Sequence, residues 1–459
     1  MSEHYDAIII GSGQAAIPLA TALASSGWRT ALVERKQLGG TCVNTGCTPT
    51  KALVGSAKVA SLARRAAEYG VEVDAVAVNF KAVRDRKRKI VEDSRAGSES
   101  RVRNAKGLDL LRGEGRFDSP NSVIVALNDG GEQQLSADKI ILNVGARATR
   151  PKIEGIDQVT VLNEESLMEL DALPQHLIII GGGNIGLEFG QIFRRFGSEV
   201  TIIEAGKQLA GREDTDIAAA VADILREDGI SILLESKVRR LEPTSDGGVQ
   251  VSLSGAQGDQ SISGSHLLIA VGRTPNTDKL NLAAAGVETD ERGFIRVDEH
   301  LQTNVSGIFA LGDVNGGPQF THIAYDDFRI VRDQLLEGKA RSTKERPVPY
   351  VMYIDPQLGR IGLTEAQARE RYPNLKVAQL PMSHVARAIE TGETRGFMKV
   401  LINGDNEQIL GCAILGAEGG EIMSMIQLAM MGELPYTTLR DAVWAHPTLA
   451  EALNNLFNL

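Results

Sequence analysis

Residues 6–35 read "DAIIIGSGQAAIPLATALASSGWRTALVER", and residues 176–204 read "HLIIIGGGNIGLEFGQIFRRFGSEVTIIE". Each stretch opens on an apolar run of the kind a doubly covered strand carries, then turns through glycines, Gly11 and Gly13 in the first and Gly181, Gly183 and Gly186 in the second. Each continues as a helix, to Gly27 or Gly197, and re-enters an apolar strand that ends on an acid, Glu34 or Glu204. From 11 to 34 and from 181 to 204 the spacing is the same 23 residues. One such stretch alone is compatible with any glycine-rich turn. Two at equal spacing form a repeat, and predict an α/β chain with two Rossmann-like, three-layer domains.

The residue types explain what such a unit is for. Glycines permit a tight turn and close approach of backbone to a pyrophosphate, the helix N-terminus stabilises the anion, and the terminal acid accepts ribose hydroxyls. Ala16 stands where the first unit would carry its third glycine, and a methyl still fits there. In the second unit Asn184 and Ile185 follow Gly183. Glu204 favours a free 2′-hydroxyl, Ala205, Gly206 and Ala210 offer no cation, and Lys207 and Arg212 are the nearby ones. The expected donor is therefore NADH rather than NADPH.

At 459 residues the chain exceeds one ordinary core, so two or three domains are expected. Its 42% hydrophobic and 24% charged residues are those of a globular protein, and a net charge of -10 argues against general nucleic-acid binding. The basic stretch at 81–103, "KAVRDRKRKIVEDSRAGSESRVR", is interleaved with Asp85, Glu92, Asp93 and Glu99 and carries no aromatic residue, which reads as a solvated helix face. No run approaches the roughly 18 apolar residues of a membrane span, and the first residues hold no basic leader. A cytoplasmic protein without membrane or nucleic-acid partners is expected.

Among three cysteines, two sit close together in "GGTCVNTGCTPTK" at 39–51. A zinc site would need two more soft ligands, and neither Cys412 nor the seven histidines supply a second half, so no metal site is expected. Cys412, inside "ILGCAILG", reads as core. A metal store and a structural disulfide are the lesser readings of Cys42 and Cys47, and a dithiol that cycles with a disulfide is the leading one.

This motif resembles the redox-active segment of the FAD-dependent pyridine nucleotide-disulfide oxidoreductases, the family of dihydrolipoamide dehydrogenase, glutathione reductase and mercuric reductase. "ILNVGARATRP" at 141–151 resembles the family's passage from its FAD to its NAD domain, with Asn143, Val144 and Ala146 departing from the usual Ala-Thr-Gly-Ser. "VGRTPN" at 271–276 resembles the return, "TNVSGIFALGDV" at 303–314 the second FAD motif, and "HPTLAE" at 446–451 the C-terminal catalytic motif. The resemblance spans essentially the whole chain. It implies an FAD domain at 1–150, an NAD domain at 151–271, a return to the FAD domain at 272–343, and an α+β dimerisation domain at 344–459.

The resemblance further implies FAD and NAD(H) as cofactors. Beyond Gly11, Gly13, Ala16, Glu34, Gly181, Gly183, Asn184, Ile185 and Glu204, it places cofactor contacts at Gly40, Thr41, Lys51, Gly145, Gly272, Arg273, Gly312 and Asp313, the last on the ribityl chain. Electrons would pass from NADH through FAD to a Cys42–Cys47 disulfide, with Cys47 facing the flavin and Cys42 exchanging with substrate. Lys51, one helical turn after Cys47, would stabilise reduced flavin and thiolate, with Glu188 as its partner. His446, oriented by Glu451, would act as acid and base on the interchange thiol of a second subunit, which makes the homodimer share its active sites.

The expected substrate is a small thiol or disulfide. Metal-ion reduction is the alternative, because "VNTGCTPTK" and "GREDTD" at 211–216 have a mercuric-reductase cast and "HPTLAEALNNLF" resembles a mercuric-reductase-like branch that includes a copper reductase. The ending "NNLFNL" lacks the cysteine pair of mercuric reductases. A non-catalytic flavoprotein redox sensor is a third reading, against which the retained Cys42, Cys47, Lys51, Glu188, His446 and Glu451 argue.

Overall fold

The computed structural model describes residues 3–255 and 258–459. The chain divides into two compact units, Met1–Ala52 with Arg84–Thr149 and Gly272–Arg346, and Leu53–Val83 with Arg150–Val271 and Pro347–Leu459. Both expected βαβ units form, one in each.

In the first unit the strand Glu3–Ile10 lies parallel between Thr30–Glu34 and Glu132–Leu142, with Ile8 opposite Ala31 on one side and Ile140 on the other. Leu108–Ser119 extends the sheet beyond Thr30–Glu34, and Ile308–Ala310 extends it beyond Glu132–Leu142, both parallel. Two-sided burial explains the isoleucine run: Ile8 and Ile10 pack with Val33, Leu142 and Ala310 on one face, while Ala7 and Ile9 pack with Leu19, Leu23, Ile141 and Phe328 on the other. The helix Ala16–Ser25 and the helix Thr321–Glu337 supply that second layer.

The second unit holds a parallel sheet in the order Ser231–Leu233, Glu199–Ile203, His176–Ile180, His266–Ile269, Val161–Leu162. A three-stranded antiparallel sheet, Ser236–Pro243, Val249–Gly255 and Gly258–Gly264, shares a core with one of its faces. The C-terminal part is a five-stranded antiparallel sheet, Tyr350–Met352, Gln357–Gly362, Ile409–Gly416, Phe397–Asn403 and Leu375–Pro381. The helix Gly419–Met431 packs on it through Ile422, Met423 and Ile426. Cys412 is in this core, 1% exposed, and burial pushes its thiol up to about 12.

The basic stretch lies within one helix, Phe80–Asn104, with Lys89 paired to Asp93 one turn on. The two expected crossings meet as a ribbon in which Ala146–Ala148 runs antiparallel to Arg273–Pro275. Among the described residues no helix is long and apolar enough to cross a membrane.

Candidate active site

The two βαβ units match atom by atom. In the first, the Gly11 N–H donates to Val33 O at 2.8 Å, and Glu34 accepts from the Ser12 N–H at 3.0 Å and from the Lys36 N–H at 2.7 Å. In the second, the Gly181 N–H donates to Ile203 O at 2.9 Å, and Glu204 accepts from Gly182 N–H at 2.7 Å and Gly206 N–H at 2.6 Å. Each acid thus holds the turn beside it, and its carboxylate is fixed at the end of its strand. Gly11 and Gly181 are required: both have left-handed φ, 93° and 114°, and a Cβ on either would stand 2.4 Å from a carbonyl oxygen, of Asn143 or Ala270.

In the first unit the donor set fits FAD. The N-terminus of Ala16–Ser25 suits a pyrophosphate, the anchored Glu34 suits a ribose, and Asp313, on the single turn Gly312–Asn315, offers a second carboxylate for a hydroxylated chain. Burial pushes Asp313 up, against the pull of Arg273, whose Nε lies 3.7 Å from it. Gly145 and Gly272 flank the ribbon that brings Arg273 there, and Asn276 N–H closes it on Gly145 O at 3.0 Å. Asp327, fully buried on the helix Thr321–Glu337, accepts from Gly312 N–H at 2.8 Å and from Arg346 at 2.6 Å, and so pins the Asp313 turn.

Asn143, flagged above as a departure, ties two strand ends to a helix start. Its amide donates to Leu311 O at 2.6 Å and its carbonyl accepts from Ala16 N–H at 3.3 Å, which links the glycine turn to the Asp313 turn.

The cysteines are built onto this site. Gly40 begins the short helix Gly40–Asn44, and a Cβ on it would stand 2.8 Å from the Cα of Gly13. Gly39 N–H donates to Ser12 O at 3.1 Å, and Gln14 donates back to Gly39 O at 3.0 Å. Thr41 and Cys42 follow on that helix, and Cys47 opens the helix Cys47–Arg64, on which Lys51 is one turn further. Both thiols are free. The Cys42 thiol hydrogen-bonds Cys47, and that bond before all else holds Cys47 down to about 6; burial opposes, while the Thr321 hydroxyl and the Lys51 cation add to the lowering. The same bond, with burial, pushes Cys42 well above the ordinary thiol range. The two thiols are thus shifted in opposite directions, Cys47 down and Cys42 up, by the one hydrogen bond they share.

Thr321 was not among the sequence-derived candidates. Its Oγ1 lies 3.1 Å from the Cys47 Sγ, and it opens a helix of 17 residues whose positive end faces the thiolate. The usable signal was the helix start after "NGGPQF".

The remaining candidates lie in the second unit. The helix Asn184–Phe196 carries Asn184, Ile185 and Glu188; Gly183 caps it, and a Cβ there would meet nothing within 4 Å, which leaves the helix N-terminus open to a pyrophosphate. This set, with Glu204, fits a second dinucleotide. Glu188 accepts from Tyr353 N–H at 2.8 Å. His446 is exposed, and its Nδ1 lies 2.8 Å from Glu451. Among the described residues no cluster of three or more His, Cys, Asp or Glu side chains is arranged to hold a metal ion.

Residues 5–327 match the pyridine nucleotide-disulphide oxidoreductase family, and residues 348–457 match its dimerisation domain. The chain is 39% identical to the probable pyridine nucleotide-disulfide oxidoreductase RclA of Escherichia coli K12, covering 99% of both chains, and 36% identical to a mercuric reductase of Streptomyces lividans, covering 98% of this chain and 94% of that one. It superposes with a TM-score of 0.91, at 39% identity over 100% of this chain and 99% of the other, on the Cu(II) complex of the HOCl-induced flavoprotein disulfide reductase RclA from Escherichia coli. The chain belongs to the pyridine nucleotide-disulphide oxidoreductase family, and it is an FAD- and NAD(P)H-dependent oxidoreductase with a dimerisation domain.

Proposed function

We propose that the protein draws two electrons from NADH and delivers them through Cys42 and Cys47 to a small disulfide, as a homodimer whose His446 serves the interchange thiol of the second subunit. The observation that carries this reading is the dithiol built onto the glycine turn of the first unit, with Gly40 against the Cα of Gly13 and Cys47 held as a thiolate. When bound, FAD supplies the two-electron relay between the dinucleotide and the disulfide.

The chain's residues do the rest. Cys42, whose thiol is pushed up, attacks once a base removes its proton, and His446, oriented by Glu451, is that base. The Cys42 sulfur bonds to one sulfur of the substrate, the substrate S–S bond breaks, and the departing thiolate takes the proton from His446. Cys47, attacking as the thiolate, then bonds to the Cys42 sulfur, breaks the mixed disulfide, restores the Cys42–Cys47 disulfide and releases the second substrate sulfur as a thiolate, which takes its proton from solvent. Glu204, with Ala205, Gly206 and Ala210 beside it, supports NADH over NADPH. Cytoplasmic residence accords with a catalytic pair that must be cycled by reductant.

Metal-ion reduction is the second reading, favoured by the solved RclA structure that is itself a Cu(II) complex. NADH oxidation measured in parallel with lipoamide, glutathione disulfide, Hg(II) and Cu(II) tests both. Turnover with a disulfide that is lost in Cys42→Ser supports the first reading; turnover with the metal ions alone refutes it and selects the second.

A further inference from the structure

Two cations of the C-terminal sheet are almost fully enclosed, Arg360 at 2% and Lys399 at 1% exposed. Both reach into the "GREDTD" segment. Arg360 Nη1 donates to Asp214 Oδ2 at 3.0 Å and lies 3.9 Å from Glu213 Oε2, while the Tyr350 hydroxyl bonds the other Glu213 oxygen. Lys399 Nζ lies 2.8 Å from Asp216, 2.6 Å from Glu365 and 3.6 Å from Asp214. Burying charge is costly, and apolar side chains of similar volume would serve stability as well or better. The network is better explained by what it holds in place.

It holds the loop after Glu204. Glu213 N–H donates to Ala210 O at 2.8 Å, and Gln208 donates to Glu213 O at 3.0 Å. Ala210, strained at φ 47°, donates its N–H to Gly182 O at 2.8 Å. Leu209 is fully buried, with Cδ2 2.6 Å from where a Gly182 Cβ would be. Gly182 in turn holds Glu204 through its N–H. From Arg360 and Tyr350 to the glycine turn the contacts are unbroken.

We propose that Tyr350 and Arg360, from the C-terminal domain, are positioning residues for the pyridine-dinucleotide site: by anchoring Glu213 and Asp214 they press the 205–214 loop onto the glycine turn and set Glu204 for the adenosine ribose. The inference rests on reading the Glu204 unit as the NADH site. It makes dinucleotide affinity a property of the C-terminal domain as well as of the domain that binds it.

The test uses the FAD-loaded dimer, with steady-state KM and kcat for NADH, KM for the acceptor, and Tm. Tyr350→Phe removes one hydroxyl, and loses a hydrogen bond worth about a fivefold change in an equilibrium. It should raise KM for NADH about threefold to fivefold, with kcat and acceptor KM unchanged and Tm lowered by no more than a few degrees. Arg360→Met should raise it further, and Arg360→Lys should recover part of the loss. Should Arg360→Met fail to fold, Tyr350→Phe and Arg360→Lys still decide. Unchanged KM for NADH in Tyr350→Phe and Arg360→Lys, alongside a raised KM in Glu204→Gln, overturns the anchoring and leaves the NADH site standing. Unchanged KM in Glu204→Gln removes the site assignment and the anchoring with it. A joint fall of kcat, acceptor affinity and Tm would mean general loosening, and also overturns the proposal.

Discussion

Replacing Thr321 by Val should raise the pH at which Cys47 ionises. The hydroxyl lies 3.1 Å from the Cys47 sulfur and, after the Cys42 thiol, is the largest of the four contributions that hold Cys47 down to about 6. A hydrogen bond to a charged group contributes about 1.5–3 kcal/mol, and one pKa unit corresponds to about 1.4 kcal/mol, so a dry site would shift by about 1–2 units. Cys42 and Lys51 remain in place and a water can enter where the hydroxyl was, so the expected rise is about 0.5–1 unit. The thiolate fraction at neutral pH falls accordingly. The measurement is the rate of Cys47 alkylation by iodoacetamide against pH in the dithiol protein, with the adduct located by mass spectrometry. An unchanged midpoint would refute the assignment, because the hydrogen bond would then contribute nothing to the anion; a lower midpoint would reverse its sign.

His446→Ala should cost disulfide turnover about 10²–10⁴-fold, about 3–5 kcal/mol, while leaving flavin reduction by NADH intact and affecting metal-ion turnover mildly. Mixing those subunits with Cys42→Ser subunits should restore activity, since each heterodimer regains one complete site; no recovery between exchanging dimers would place the histidine elsewhere. kcat/KM should favour NADH over NADPH by roughly tenfold, about 1.4 kcal/mol, through repulsion between Glu204 and a 2′-phosphate; equal rates would assign Lys207 or Arg212 to that phosphate. Asp327→Asn leaves Arg346 only the more distant Asp326 carboxylate, at 3.5 Å, and loosens the Asp313 turn, so FAD should dissociate about tenfold faster in dilution monitored by flavin fluorescence, and wild-type retention would contradict that role.

The βαβ units were legible because their chemistry is local: the strand run, the glycines and the acid lie within one short span, and the hydrogen bonds from Ser12 and Gly182 to their acids close within that span. The cysteine pair and the His446–Glu451 dyad were legible for the same reason, each being a few residues long. Thr321 was hidden because its partner lies 274 residues away, and nothing in "FTHIAY" distinguishes a hydroxyl that faces a thiolate from one that caps a helix. Asn143 was visible as a departure and unreadable as a device, since its partners Leu311 and Ala16 are 168 and 127 residues distant. Arg360 and Lys399 are the strongest case. Charged residues inside strands ordinarily read as solvent-facing, and only the packing of the C-terminal sheet against Asp214 and Asp216 shows them to be enclosed.

The third thiol gives the protein an internal blank. Cys412 is sealed between sheet and helix and ionises only near 12, so thiol reagents applied to the native fold should ignore it. Any labelling stoichiometry above zero then reports the Cys42–Cys47 couple alone, and the difference between native and unfolded counts supplies its own calibration from a single untagged sample. A couple whose oxidation state can be counted without interference from its own scaffold suits redox titration of the purified protein, where scattered surface cysteines would give only averages.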